Sequence, residues 1–532
     1  MEITGVTYSV AHYEHYNQHG DSNYFEEIVD KMILDQVVGM NESFRRTIEG
    51  LSRDKKRMAI LSLLEKDRSL FKKIKALIDK DINRMDHIKD VVLMLREYVK
   101  IADVEKSKFG EVMTPLDLIK EMINILPNET WSNPNLKWLD PANGTGPYPI
   151  MVIYKLMNGL KDWEPDDEKR YKHIVENMIY VCELQPKNMF LYMCAVDPFD
   201  KYKLNVYTGS FLEKEFDYHM KTVWNIQKID IVIGNPPYQD EMITKKGSAK
   251  PLYNLFTEKS IDISNIISFI TPSRWFAGGK GLDIFRNKMM SRKDIKIIKH
   301  FDDASSIFNN VEIKGGVSYF LIDKSYTGLT KFNEFDIDIK KYDIIPTSVS
   351  SDNFSLIDKF MNCDNISRIC IGQGYSGVTS NDNRLTDTKL NDGDLTCYVS
   401  IKNGLKKYIN PDKLKSIDTI NSWKVFTARS STKGGSGFGR HFYIGEPGEI
   451  CNQSYIVFIV NSKEEAESLK SYLSTKFVNK MLSLRKITQD SKPDTCKWIP
   501  FVPFDRKWSD DLIFNYLNLE KNQIDLINSF HI

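Results

Sequence analysis

Residues Ile229-Asp230-Ile231-Val232-Ile233 form a short β-branched run that passes without a break into Gly234-Asn235-Pro236-Pro237-Tyr238. A run of Ile and Val with one polar position suits a buried strand. Proline has no N–H and holds φ near about −65°, so two in succession end ladder pairing and fix a stiff loop at the strand's carboxyl end. Ligands in open α/β sheets bind at that end. The junction therefore asks for a mostly parallel sheet with helices between its strands.

The surrounding sequence supplies such a sheet. Between about 105 and 330, Leu136–Leu139, Met178–Cys182, Leu204–Tyr207, Ile229–Ile233, Ile266–Ile270, Ile295–His300 and Val317–Ile322 read as strands, with amphipathic stretches between most of them. Alternation of this kind predicts an α/β, doubly wound, seven-stranded sheet covered on both faces. The last two runs are close enough to form a hairpin. Residues 24–104 contain no proline and repeat apolar positions at helical spacing, so 1–104 is expected to be a helical N-terminal region. After about 335, Gly, Asn, Asp and Ser increase, and CYVSI, WKVFTA and YIVFIV stand as strand-like islands, followed by a helix over 463–486 and an extended WIPFVPF. Domains are expected at 1–104, 105–334 and 335–532, the last mixed α+β.

Composition narrows the setting. The 73 basic and 72 acidic residues give a formal charge of +1, so any nucleic-acid surface must come from local clustering. Seven scattered cysteines without a CxxC pair argue against a disulfide framework and against a zinc site. The start, MEITGVTYSVAHYEHYNQHGD, has no basic stretch leading into an apolar one, and no uncharged apolar run approaches ~18 residues. A soluble, cytoplasmic chain is expected.

Three segments carry chemistry. Leu139-Asp140-Pro141-Ala142-Asn143-Gly144-Thr145-Gly146 closes the first strand and opens a helical run. Glycines there allow a tight turn and a close ligand, and a helix amino terminus attracts anionic groups. Taken alone, a plain strand-to-helix turn reads equally well. On the next strand Tyr180-Val181-Cys182-Glu183 sets an acid at the carboxyl end, where a carboxylate accepts both ribose hydroxyls of a nucleoside. An exposed loop acid is the alternative. In the third segment the Asn235 side-chain carbonyl and the Pro236 backbone carbonyl are placed to accept both N–H groups of a conjugated ring amine, drawing its nitrogen towards tetrahedral geometry. Tyr238 offers a face for stacking a base turned out of a duplex. A purely structural turn is the alternative there.

With these segments in this order, the chain resembles the N6-adenine-specific DNA methyltransferases of the gamma arrangement, and is similar to the methyltransferase part of type II restriction-modification enzymes of the type IIG, Eco57I-like kind. The resemblance is strong over 105–330 and holds only in outline elsewhere. Phe109-Gly110-Glu111-Val112-Met113-Thr114-Pro115 matches the family's phenylalanine-containing segment ahead of the glycine turn. The resemblance implies a Rossmann-like sheet, S-adenosylmethionine as cofactor, no metal, and double-stranded DNA as partner. It assigns Phe109, Thr114, Pro115, Asp140, Pro141, Asn143, Gly144 and Gly146 to the methionine end of the cofactor, Glu183 to its ribose, and Asn235, Pro236, Pro237 and Tyr238 to the target adenine. One departure stands out. Where the family often carries an acid after the third strand for the cofactor's adenine amine, this chain reads Thr208-Gly209-Ser210-Phe211-Leu212, leaving Ser210 to accept a hydrogen bond and Phe211 to pack on the ring. Phe276, Ser318 and Tyr319 are expected nearby, while Trp275 reads at least equally well as aromatic packing at a strand end.

The unit after 335 is expected to read the DNA target. Its candidate surface runs from Lys424 to Arg440, where Arg429, Lys433 and Arg440 stand among Gly and Ser. Small residues let a backbone approach phosphate and arginine reaches guanine in the major groove. Ser474 to Phe477 and Arg485-Lys486 are candidates for further phosphate contacts, with helix-surface charge an equally good account. Three other readings stay open: methylation of protein glutamine, methylation of RNA, and a bifunctional restriction endonuclease-methyltransferase. Residues 1–104 lack the acid-then-Glu-x-Lys pattern of a metal-dependent nuclease. A separate nuclease or specificity subunit is a further partner compatible with the family.

Overall fold

The computed structural model describes residues 114–197, 201–239, 250–279, 281–308, 313, 315–346, 348–374, 378–414, 419–430, 437–438, 441–486 and 490–531. The expected helical region 1–104 lies outside the described residues, as do Phe109, Lys433 and Arg440. The chain divides into two compact units whose sequence boundary falls between Lys341 and Tyr342.

The first unit is built on a nine-stranded sheet. Its strands are β1 (Trp138–Asp140), β2 (Ile179–Glu183), β3 (Asn205–Thr208), β4 (Ile229–Gly234), β5 (Ser264–Pro272), β6 (Ile295–Phe301), β7 (Val317–Asp323), β8 (Thr330–Phe332) and β9 (Phe335–Ile337), in the spatial order β3-β2-β1-β4-β5-β7-β6-β8-β9. The strands β3, β2, β1, β4 and β5 run parallel, and β7 is antiparallel to both β5 and β6. All seven expected strands are present. The hairpin of β8 and β9 extends the sheet by two more, because Asn333 adopts a left-handed φ of 50° and turns the chain back after three residues.

The helices α1 (Leu116–Asn124), α2 (Pro147–Gly159), α3 (Asp167–His173), α4 (Pro186–Val196), α5 (Lys214–Thr222), α6 (Tyr253–Ile263) and α7 (Asp283–Met290) connect or flank these strands. Proline opens α2 and α4, where its missing N–H would have had no helical partner. The Asp166 carboxylate caps α3 by accepting from the N–H groups of Glu168 and Lys169. Ile119 and Met122 of α1, Ile150, Ile153 and Leu156 of α2, and Val181 of β2 are enclosed in one core. Full burial of each such side chain contributes about 1.5–3 kcal/mol. That core anchors the strand ends from which the polar loops leave.

The second unit holds a four-stranded antiparallel sheet and a three-stranded sheet. Its strands are β10 (Cys370–Gln373), β11 (Leu395–Tyr398), β12 (Lys406–Ile409), β13 (Trp423–Ala428), β14 (Phe442–Gly445), β15 (Glu449–Cys451) and β16 (Tyr455–Val460), ordered β10-β16-β13-β14 and β12-β11-β15. The helices are α8 (Ser351–Phe360), α9 (Lys463–Leu473), α10 (Lys476–Arg485), α11 (Asp510–Tyr516) and α12 (Lys521–Asn528). The single helix expected over 463–486 is two helices, because the Thr475 hydroxyl caps a new one by accepting from Val478 N. WIPFVPF does not end the structured chain, since α11 and α12 follow it.

The end of α10 also corrects a surface expectation. The Arg485 side chain is only 1% exposed, pairs with Asp343 and Asp494, and lies 4.8 Å from the Trp498 ring. It is enclosed and has no free face for phosphate. Lys486 is buried as well, donating to Gly437 O at 3.1 Å. Burial raises the Asp343 carboxyl, but the hydrogen bonds and charge of Arg485 outweigh it and hold the acid below its ordinary range. A depressed carboxyl contributes stability above the ordinary carboxylate range and loses it as pH falls through the folded value. Arg485→Ala is therefore expected to lower the unfolding free energy at neutral pH by roughly 2 kcal/mol, discounted from a fully buried pair because both acids are half exposed. In denaturant titrations the difference from the parent should shrink in acid.

Candidate functional site

The sheet order reverses between β1 and β4, which are adjacent although β2 and β3 follow β1 in sequence. Loops leaving the carboxyl ends of these two strands diverge, and a crevice opens between them. The Asp140 and Asn235 segments both leave from this seam.

After β1 the chain turns tightly. Asn143 N donates to Cys182 O at 2.9 Å and Gly146 N to Asn143 O at 2.9 Å, while Gly144 and Gly146 take positive φ values of 55° and 97°. A Cβ on Gly146 would lie 2.4 Å from the Tyr192 ring, so the position admits only glycine. Pro141 is buried in the turn. Glu183, at the end of β2, accepts from Gly144 N at 2.7 Å through Oε2 and from Gln185 N at 2.8 Å through Oε1. This carboxylate braces the glycine turn from the carboxyl end of β2. Leu184, the next residue, is 60% exposed and offers an apolar surface there. Its neighbour Glu183 drew attention in the sequence and Leu184 did not, because an isolated exposed leucine carries no chemical signature.

Asp140 is 3% exposed, and its Oδ1 accepts from Ala142 N at 3.0 Å. Its Oδ2 is buried without a hydrogen-bond partner, as are Asn143 Oδ1 and Thr145 Oγ1. Burial pushes the carboxyl up to about 8; Ala142 N–H opposes the rise and the Glu183 charge adds to it. Asp140 approaches β4 closely, and a Cβ on Gly234 would lie 2.7 Å from its Oδ1. Gly234 is thus a site residue. Its signal was a glycine breaking an Ile/Val strand just before Asn235.

Beyond β4, Asn235 is half-buried, Pro236 buried, Pro237 exposed and Tyr238 half-buried. Tyr238 O accepts from Leu252 N at 3.2 Å, and Gln239 bridges to Pro251, closing the base of the loop. Burial raises the Tyr238 phenol, with Asn235 beside it opposing the rise. Asn235 Nδ2 donates to Thr114 Oγ1 at 3.1 Å, and the Tyr148 hydroxyl lies 3.4 Å from the same oxygen. Thr114 is buried just ahead of α1, and Pro115 caps that helix with extended backbone angles. The structure therefore brings Thr114, Asp140, Asn143, Glu183 and Asn235 around one seam, and adds Tyr148 to them.

At the end of β3, Ser210 accepts from Leu212 N, and its own N–H donates to Glu213 at 3.3 Å. A carboxylate thus stands three residues beyond the position where the sequence lacked one. Phe211 is 1% exposed and enclosed by Phe216, Phe256 and Lys259, so its ring has no free face for a ligand. Trp275 and Phe276 are also core residues. Their ring partners Phe285, His300 and Phe332 belong to α7, β6 and β8, away from the seam. Ser318 is buried on β7, and the Tyr319 hydroxyl donates to Glu121 of α1 at 2.7 Å.

In the second unit, Arg429 donates to Gln373 Oε1 at 2.6 Å and pairs with Asp490 at 3.4 Å. Lys424 does not belong to a DNA-facing surface: it is fully buried, with Nζ donating to the carbonyls of Ile420 at 2.8 Å and Ser422 at 2.6 Å. Burial lowers its ammonium to about 8.

The strand order β3-β2-β1-β4-β5-β7-β6 with β7 reversed, and the polar loops at its switch point, define a Rossmann-like methyltransferase. Residues 155–308 match the family model described as Eco57I restriction-modification methylase. A protein of Mycoplasma pneumoniae named an uncharacterized adenine-specific methylase is 28% identical over 294 residues, covering 42% of this chain and 69% of that protein. A nuclease-deletion mutant of the Type ISP restriction-modification enzyme LlaGI, solved with a DNA substrate mimic, shares the fold with a TM-score of 0.51 and 10% identity, over 94% of this chain. The DrdV–DNA complex matches with a TM-score of 0.46 and 12% identity, over 94% of this chain and 71% of that one. This chain spans about half of the LlaGI chain, 53%.

Asp140 sets a testable pH dependence. Its folded value is raised, so between the ordinary carboxylate range and about 8 the folded chain holds a proton that the unfolded chain has released, and stability declines as pH rises across that window. A ligand bringing an ammonium needs the ionised form. Calorimetric affinity for S-adenosylhomocysteine is expected to rise from about pH 6.5 to about pH 8.5, with uptake of ligand releasing up to about one proton. Asp140→Asn should flatten that dependence.

Proposed function

We propose that this chain transfers a methyl group from S-adenosylmethionine to the N6 amine of an adenine turned out of double-stranded DNA. The observation that carries the reading is the adjacency at one seam of a buried carboxyl with an open oxygen, on β1, and the Asn235-Pro236-Pro237-Tyr238 loop, on β4.

The residues fit the cofactor. Asp140 Oδ2, Asn143 Oδ1 and Thr145 Oγ1 are buried polar atoms without protein partners, suited to an ammonium and to donors on a methionine tail. Glu183, held by Gly144 N and Gln185 N at the carboxyl end of β2, is a carboxylate of the kind that accepts ribose hydroxyls. Leu184 supplies an apolar surface for an adenine ring. When bound, the cofactor supplies an electrophilic sulfonium methyl. Asn235 Oδ1 and the Pro236 carbonyl accept the two N–H groups of the target amine and concentrate electron density on its nitrogen. The proline pair holds both acceptors in a fixed relation, and the Tyr238 ring carries the base.

The second unit is proposed as the target-recognition domain, with Arg429, Lys433 and Arg440 serving phosphate or base contacts. Arg429 acts there as part of a polar cluster with Gln373 and Asp490. The setting we propose is a restriction-modification or mobile-element DNA-modification system in a reducing cytoplasm. The six cysteines with described side chains are free thiols, as that compartment requires.

Asn235→Ala is expected to reduce methyl transfer to DNA below about 1% of the parental rate while calorimetric affinity for S-adenosylhomocysteine stays within about twofold. Glu183→Ala should show the reverse pattern, with affinity weakened roughly tenfold. An Asn235→Ala variant that still turns over would remove the assignment.

A further inference from the structure

Thr114 ties three elements together through one oxygen. Its hydroxyl accepts from Asn235 Nδ2 at 3.1 Å, and the buried Tyr148 hydroxyl of α2 lies at 3.4 Å. Tyr148 is held in place on its other side by Met122 of α1, whose sulfur is 3.4 Å from the same phenol. Burial raises the Tyr148 phenol well above its ordinary range, so it keeps its proton. Tyr148 has one proton, shared between Met122 sulfur and Thr114, and the Thr114 hydroxyl can itself donate to the Tyr148 oxygen, which leaves Thr114 Oγ1 an acceptor position for Asn235 Nδ2.

The consequence falls on Asn235. A side-chain amide presents a carbonyl at one edge and an NH2 at the other, and half a turn about its last torsion exchanges them. An amine that donates two N–H groups is served only by the carbonyl edge. With the NH2 edge bonded to Thr114, the carbonyl edge is turned to the remaining direction. The exchanged amide would set NH2 against the amine, donor against donor.

We infer that Thr114, backed by Tyr148, is a positioning residue that fixes the Asn235 amide with its carbonyl towards the substrate amine. This role rests on the proposed methylation of adenine, and it differs from the cofactor-holding role that the family resemblance implies for Thr114. Valine at 114 keeps the shape and removes the acceptor; serine keeps the acceptor and removes a methyl group.

The test compares the purified parent chain with Thr114→Val, Thr114→Ser and Tyr148→Phe, by single-turnover methylation of DNA and by calorimetric affinity for S-adenosylhomocysteine. Thr114→Val is expected to lose about 10- to 100-fold in single-turnover rate with affinity within about twofold of the parent. Thr114→Ser should recover to within about threefold, and Tyr148→Phe should fall between. A Thr114→Val rate equal to the parent's would overturn the role. A rate loss matched by an equal loss of affinity would overturn it too and return Thr114 to the cofactor. A parent that binds S-adenosylhomocysteine and methylates no adenine would instead overturn the functional reading, and this role with it.

Discussion

Asp140 and Gly234 sit on neighbouring strands so close together that a single carbon on Gly234 would lie 2.7 Å from the Asp140 carboxyl. A side chain at Gly234 would drive the carboxyl out of its buried position or push β4 away from β1. Either displacement carries Asn235 with it, since Asn235 follows Gly234 directly. The packing of β1 and β4 therefore couples two groups with different tasks. Under the proposed function, one serves a cation and the other an amine. Strand order reverses at this seam, which keeps the space above it clear of a crossover.

Polar groups around the seam fall into two kinds. Glu183 and Thr114 are satisfied within the chain and hold the loops in shape. Asp140 Oδ2, Asn143 Oδ1 and Thr145 Oγ1 are buried and open. Each open group costs the resting chain on the order of 1–3 kcal/mol, and a ligand that bonds to them restores it. Lys424 and Arg485, buried in the second unit, are bonded to carbonyls or carboxylates. The three open oxygens at the seam lie within six residues of one another on a single turn, which suits a polar ligand under the proposed function.

The strands of the first unit were legible because each is a run of apolar, often β-branched residues between helical stretches. The pair β8 and β9 was not, since three-residue strands such as Thr330–Phe332 leave no alternation to read. Asp140, Glu183 and Asn235 were legible because acids and amides at strand ends have chemical meaning on their own. Tyr148 was hidden, since an aromatic inside a helix reads as core until its hydroxyl is found beside Thr114. Phe276 misled for the converse reason: an aromatic at a strand end suits a pocket or a core, and the partners that decide, His300 and Phe332, lie on other strands. Lys424 and Arg485 looked like surface charge, although burial and their partners withdraw them.

The most direct measurement is nucleoside mass spectrometry of unmethylated plasmid DNA after incubation with the purified chain and isotopically labelled S-adenosylmethionine. Labelled N6-methyladenine is expected in the recovered DNA, dependent on Asn235. Label on cytosine, on protein or on RNA in parallel incubations, with none on adenine in DNA, would contradict it.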